Sequence, residues 1–197
     1  KPIFLDIDRG MSTLRGKDID YEDFAEVESN KVYEAVIKFL DQIKTDTKYE
    51  TIVLDTFNRL DYFLNLMIKP IGIKFEYGEW FIKQQKNMEL CQKLMSINLI
   101  NNKNVVVLVH AGLDKDENTG RLALMPLLQG SIQKNIDGYF DENYFIEKIV
   151  KGKVREFTIA LENRDLIKAG SRFMEFTGEL TIPAHYDEII KRAKKAE

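Results

Sequence analysis

The sequence predicts an α/β fold with a mainly parallel sheet, and three short apolar runs predict it: Ile3–Leu5, Thr51–Leu54 and Val105–Val109. None of them alternates apolar with polar residues, as a strand with one wet face would. Helical spacing fills the chain between them, giving the strand–helix–strand order of a parallel sheet covered by helices.

The first run, Ile3-Phe4-Leu5, closes on Asp6-Ile7-Asp8 and then Arg9-Gly10, a strand entering a turn. Ser12 to Asp20 is polar and loop-like, and Phe24 to Val27 reads as a second short strand. From Asn30 onward Val32, Val36, Phe39, Leu40 and Ile43 recur at helical spacing, and the polar stretch Thr45–Tyr49 ends that helix. The second run ends at Asp55-Thr56. A helix over Asn58–Ile68 follows, stopped by Pro70 and Gly72.

Tyr77 to Ile100 carries a long helical pattern, in which Trp80, Phe81, Met88 and Met95 read as helix core. The third run closes on His110-Ala111-Gly112. Asp114 to Gly120 is a charged, hairpin-like turn, and Ile132–Ile136 a short helix. Tyr139–Ile149 and Val154–Leu161 alternate like two antiparallel strands around Lys151-Gly152-Lys153. Tyr186–Ala196 reads as a short amphipathic helix. The expectation is a single domain over residues 1–197, with the antiparallel strands of 139–182 added at its C-terminal edge.

Length and composition agree with a globular fold: 197 residues, 44% hydrophobic and 31% charged. A net charge of −3 gives no global basic footprint for nucleic acid, which leaves a local patch or an oligomeric ring as the routes to one. The single cysteine, Cys91, excludes a disulfide framework or a cysteine-built zinc site within the chain. No apolar run approaches a membrane span, and the default compartment is a reducing cytoplasm. The chain begins Lys1-Pro2 rather than Met and reads as the remainder of a longer protein.

The candidate chemistry lies at the ends of the three runs. In open α/β sheets ligands bind outside the carboxyl ends of the strands, so Asp8, Asp55 and His110 are expected to converge on one crevice. Apolar residues followed by Asp55 and the hydroxyl residue Thr56 have the Walker B form, in which a carboxylate holds Mg²⁺, usually through water. The competing reading of Asp55 is a helix N-cap ahead of Asn58. Asp6 and Asp8 lie two apart. Asp8 suits activation of a water attacking a γ-phosphate, Asp6 a supporting role, and either suits a turn before Arg9-Gly10. His110 suits a sensor of the γ-phosphate or a plain structural role. Arg164, Lys168 and Arg172, around Gly170-Ser171, suit an arginine-finger-like contact to nucleotide on a neighbouring subunit, or a solvated basic loop.

These residues resemble the RecA-like P-loop ATPases, most closely the phage nucleotide-binding proteins of the single-strand-annealing recombinase type. The stretch Pro2–Gly16 is similar to the segment after the P-loop helix in that family, Tyr49–Thr56 to its Walker B segment, and Val105–Gly120 to its third core strand and following hairpin. Asn163–Arg172 resembles a variant of its basic C-terminal motif. The resemblance implies a three-layer RecA-like sandwich, a mainly parallel sheet with helices on both faces. It also implies ATP and Mg²⁺ as cofactors, single-stranded DNA as a partner, a homo-oligomer, and the cytoplasm of a bacterial host. By it Asp8 takes the water-activating position, Asp55 the magnesium-associated one and His110 the sensor. The family's G-x-x-x-x-G-K-[ST] loop is not found in the 197 residues. Either its segment lies outside this sequence or the chain is a non-catalytic binding and assembly module.

Overall fold

The computed structural model describes residues 1–14, 16–115, 120, 122–151, 154–161, 163, 166–167, 169–172, 181–184 and 188. The chain divides into two compact units, Lys1–His110 with Pro126–Lys134, and Ala111–Met125 with Asn135–Glu197.

The first unit holds β1 (Pro2–Asp6), β2 (Asp20–Asp23), α1 (Val32–Ile43), β3 (Thr51–Asp55), α2 (Phe57–Ile68), α3 (Tyr77–Asn101) and β4 (Asn104–Leu108). Its strands form one parallel sheet in the order β2-β1-β3-β4. The steps from β2 to β3 and from β3 to β4 advance the same way across the sheet. Right-handed crossovers therefore place α1, α2 and α3 on one face. The packing agrees, since α1 lies on α2 and α2 on α3.

Strand register explains the burial. Ile3, Leu5, Ile52 and Leu54 point to the helical face and are all buried there. The opposite face carries the row Tyr21–Phe4–Val53–Val106, with Tyr21 44% and Val106 36% exposed. Long helices thus cover one face among the described residues. β4, apolar throughout its centre, pairs only with β3 among the described residues and leaves its other edge open.

The second strand is Asp20–Asp23, not the expected Phe24–Val27. Asp23 accepts from the Ala25 amide at 2.8 Å, an Asx turn that ends the strand, and Phe24 packs edge-on against Phe39 of α1. Acidic residues dominate β2, as suits an edge strand, and Asp20 is held by Lys1 and Lys48 at 2.9 and 2.7 Å.

The helices start and stop for local reasons. Thr56 caps α2 by accepting from the Arg59 amide. A reciprocal capping box of Glu76 and Glu79 opens α3, and Asn102, at φ 52° in the left-handed region, ends it. The buried stripe of α3 is Lys83, Asn87, Leu90, Cys91, Leu94 and Ile97. Trp80, Phe81 and Met88, expected in the core, are on the exposed side, Phe81 by 63%. Packing on α2 selects the stripe, and the buried Asp61 of α2 draws Lys83 inward in place of an apolar residue.

The second unit contains β5 (Ala111–Lys115), paired with β6 (Leu122–Pro126). Of the charged turn expected over Asp114–Gly120, Asp114 and Lys115 belong to strand β5 and residues 116–119 lie outside the described residues. A one-turn helix, α4 (Ile132–Asn135), and a 3-10 turn (Ile136–Tyr139) come next in the chain. Then follow β7 (Glu142–Asn143), β8 (Phe145–Lys151), β9 (Val154–Ala160), β10 (Gly170–Ser171) and β11 (Thr181–Pro183). The antiparallel pair expected from the late alternation is β8 and β9. With β11 it forms a three-stranded sheet of its own, while β7 pairs with β10. Ile159, Leu161 and Ile182 form one small core and Ala160, Ile167 and Ala169 another. The expected Tyr186–Ala196 helix lies outside the described residues, Glu188 apart. Among the described residues no helix is long and apolar enough to cross a membrane.

Candidate nucleotide site at the strand ends

Parallel pairing alone brings the three predicted strand ends together. Asp6 pairs with Asp55 and Asp55 with Leu108 in register. Beyond the ladder, the amides of Ile7 and Asp8 both donate to the Asp55 carbonyl, at 2.7 and 3.3 Å. That bifurcated contact draws the Asp8 backbone over the end of β3. The Asp8 carboxylate accepts from the Thr56 hydroxyl at 2.8 Å and lies 3.9 Å from Nε2 of His110. Asp8, Asp55, Thr56 and His110 therefore occupy one place.

Their roles separate by partner. Asp6 is buried and accepts from the amides of Gly10 and Met11 at 2.8 and 3.1 Å, capping the 3-10 helix Gly10–Leu14. Burial pushes its carboxyl above the usual range, and those two amides pull it back. Period-two alternation places Asp6 and Asp8 on one side only along an extended strand. β1 stops at Asp6 and Arg9 turns the chain at φ 62°, so Asp6 serves the turn and Asp8 the crevice.

Thr56 is buried, with its hydroxyl donating to Asp8 and capping α2. It is placed to orient Asp8. The cap of α2 is thus Thr56 and not Asp55. Among the described residues no hydrogen bond engages the Asp55 side chain. Burial pushes its carboxyl up, the negative charges of Asp8 and Asp6 push it further, and His110 opposes them. A carboxylate without a donor, crowded by like charges, suits a cation.

No three His, Cys, Asp or Glu side chains among the described residues stand close enough to hold a metal unaided. Mg²⁺ fits such a site, because it keeps several waters and takes one or two carboxylates plus phosphate oxygens. Asp55 is the residue that would hold it.

Of the basic candidates Arg172 is described, in the second unit. Arg172 donates to the Gly138 carbonyl at 2.7 Å and pairs with Asp141 at 3.3 Å, half-exposed. Arg164 and Lys168 fall outside the described residues. Sequence reasoning missed Asn58, which binds the backbone at both His110 and Leu127. Its signal was its place, three residues after Asp55 at the first turn of a helix.

Four parallel strands flanked by helices, with acidic groups gathered at their carboxyl ends, define a P-loop NTPase-like α/β protein. A family model described as an AAA domain matches residues 1–173, and the chain belongs to that family. No curated protein matches the chain. The AAA-type domain points to ATPase-like nucleotide binding with Mg²⁺.

Proposed function

We propose that this chain is a RecA-like ATPase core of phage type, coupling ATP binding or hydrolysis to recombination, annealing or replication of single-stranded DNA. The observation that carries the nucleotide site is the unbonded Asp55 carboxylate at the end of a central strand, with Asp8 and His110 beside it. Asp55 is the residue that would hold Mg²⁺, which would supply positive charge to neutralise the phosphates. Asp8, oriented by Thr56, accepts a hydrogen bond from the attacking water and aligns it. His110, exposed at the mouth, reads the presence of the γ-phosphate. Arg172, with Arg164 and Lys168, reaches nucleotide on a neighbouring copy in a homo-oligomer.

The site needs a phosphate grip, and the 197 residues hold no Walker A loop. The open edge of β4, apolar and beside His110, is where a further strand would bring one. The row Tyr21–Phe4–Val53–Val106, exposed at its ends Tyr21 and Val106 and buried at Val53, is where the second helical layer of a RecA-like sandwich would lie. The similarity of Pro2–Gly16 and Asn163–Arg172 to recombinase segments supports the DNA role.

Mg²⁺-dependent ATP hydrolysis tests the reading: turnover that Asp55→Ala removes supports it. An absence of nucleotide binding by the wild-type protein, together with an oligomer that forms without nucleotide, would favour a P-loop-less binding and assembly module.

A further inference from the structure

We infer that Asn58 is a positioning residue of this site, holding His110 opposite Asp8 through a two-sided amide clamp. The inference rests on the nucleotide-site reading for its meaning, though its geometry stands alone. Asn58 is the second residue of α2. Its Oδ1 accepts from the His110 amide at 2.6 Å, and its Nδ2 donates to the Leu127 carbonyl at 2.5 Å. The ring is closed by the Leu127 amide, which donates to the His110 carbonyl at 2.7 Å.

His110 needs this help for two reasons. The β3–β4 ladder ends at Leu108, so pairing with β3 no longer fixes the backbone at His110. The imidazole itself is 64% exposed, so packing does not fix it either. Its 3.9 Å approach to Asp8 is therefore set by where its backbone is held.

The other side of the clamp is firm. Gln129 accepts from the buried Lys83 ammonium at 2.6 Å, and the Ser131 hydroxyl donates to Gln84 at 2.7 Å. Gly130, at φ 78°, lies so close that a Cβ would come within 2.9 Å of the Gln84 amide nitrogen. Asn58 thus ties the first turn after Asp55 to the end of the sensor strand and to an anchored segment.

Two variants test this. In Asn58→Ala the His110 amide loses its acceptor, and its hydrogen exchange rises about tenfold or more while Val105–Val107 in β4 stay unchanged. In Asn58→Asp the carboxylate accepts from the same amide and suits the first turn of a helix, so protection at His110 returns. In Mg²⁺·ATP hydrolysis, Asn58→Ala lowers kcat by about tenfold with KM little changed, the signature of lost transition-state positioning. Unchanged exchange at His110, an increase spread equally through β4, or a raised KM at constant kcat would each overturn the inference. If the wild-type protein turns over no ATP, the function reading falls, and the exchange arms alone decide whether Asn58 holds His110.

Discussion

Asp55 and Asp61 stand six residues apart around the start of α2 and have opposite surroundings. Asp61 is buried among donors: the Lys83 ammonium at 2.9 Å and the Asn87 amide at 2.7 Å. Lys83 in turn binds Gln129 and lies over the Trp80 ring. Burial pulls the Lys83 ammonium below its usual pKa, against the pull of Asp61. Among the described residues Asp55 has no such donors, and it is crowded by Asp8 and Asp6. One carboxylate is closed by the fold and the other, among the described residues, is left without a donor, which suits the first to a structural role and the second to the ligand role proposed for it.

Breaking the closed cluster gives the largest expected effect. Lys83→Met leaves Asp61 buried without its cation and costs about 3–5 kcal/mol, read as a lower thermal midpoint. Removing the charge on both sides, in Lys83→Met with Asp61→Leu, is predicted to recover at least half of that loss. A double variant no more stable than the single one would show that Lys83 serves packing rather than the ion pair.

The open carboxylate has the opposite sign. Asp55→Asn relieves repulsion among like charges and raises the melting temperature by about 2–4 °C at neutral pH. Because the folded pKa of Asp55 is raised, the folded state binds its proton more tightly than the unfolded chain does. Wild-type stability therefore gains relative to Asp55→Asn as pH falls through the folded pKa towards the unfolded value, and the gap closes. A gap that widens in acid would contradict this assignment. The smallest effect belongs to Arg172→Ala: its exposed pair with Asp141 contributes under about 1 kcal/mol, and melting should scarcely move.

The sequence made the open site more legible than the closed one. Ile3–Leu5, Thr51–Leu54 and Val105–Val109 announce themselves by unbroken apolar character, and parallel pairing then brings Asp8, Asp55 and His110 together. β2 was hidden because Asp20, Glu22 and Asp23 look like a loop; only its pairing with β1 makes it a strand. The Lys83–Asp61 pair was equally hidden, since a lysine on a helix is ordinarily solvated and nothing local shows which stripe will be buried. Asn58 was missed because its partners, the backbone at His110 and Leu127, are distant in sequence and belong to no motif.

The most direct measurement of the central claim is binding of a fluorescent, non-hydrolysable ATP analogue with and without Mg²⁺, for wild type, Asp55→Asn and Arg172→Ala. In protein whose site is completed by a Walker A loop, the nucleotide-site account predicts Mg²⁺-dependent binding, with that dependence lost in Asp55→Asn. Arg172→Ala, measured on the isolated protomer, should match wild type. Equal affinity in wild type and Asp55→Asn, with and without Mg²⁺, would contradict it.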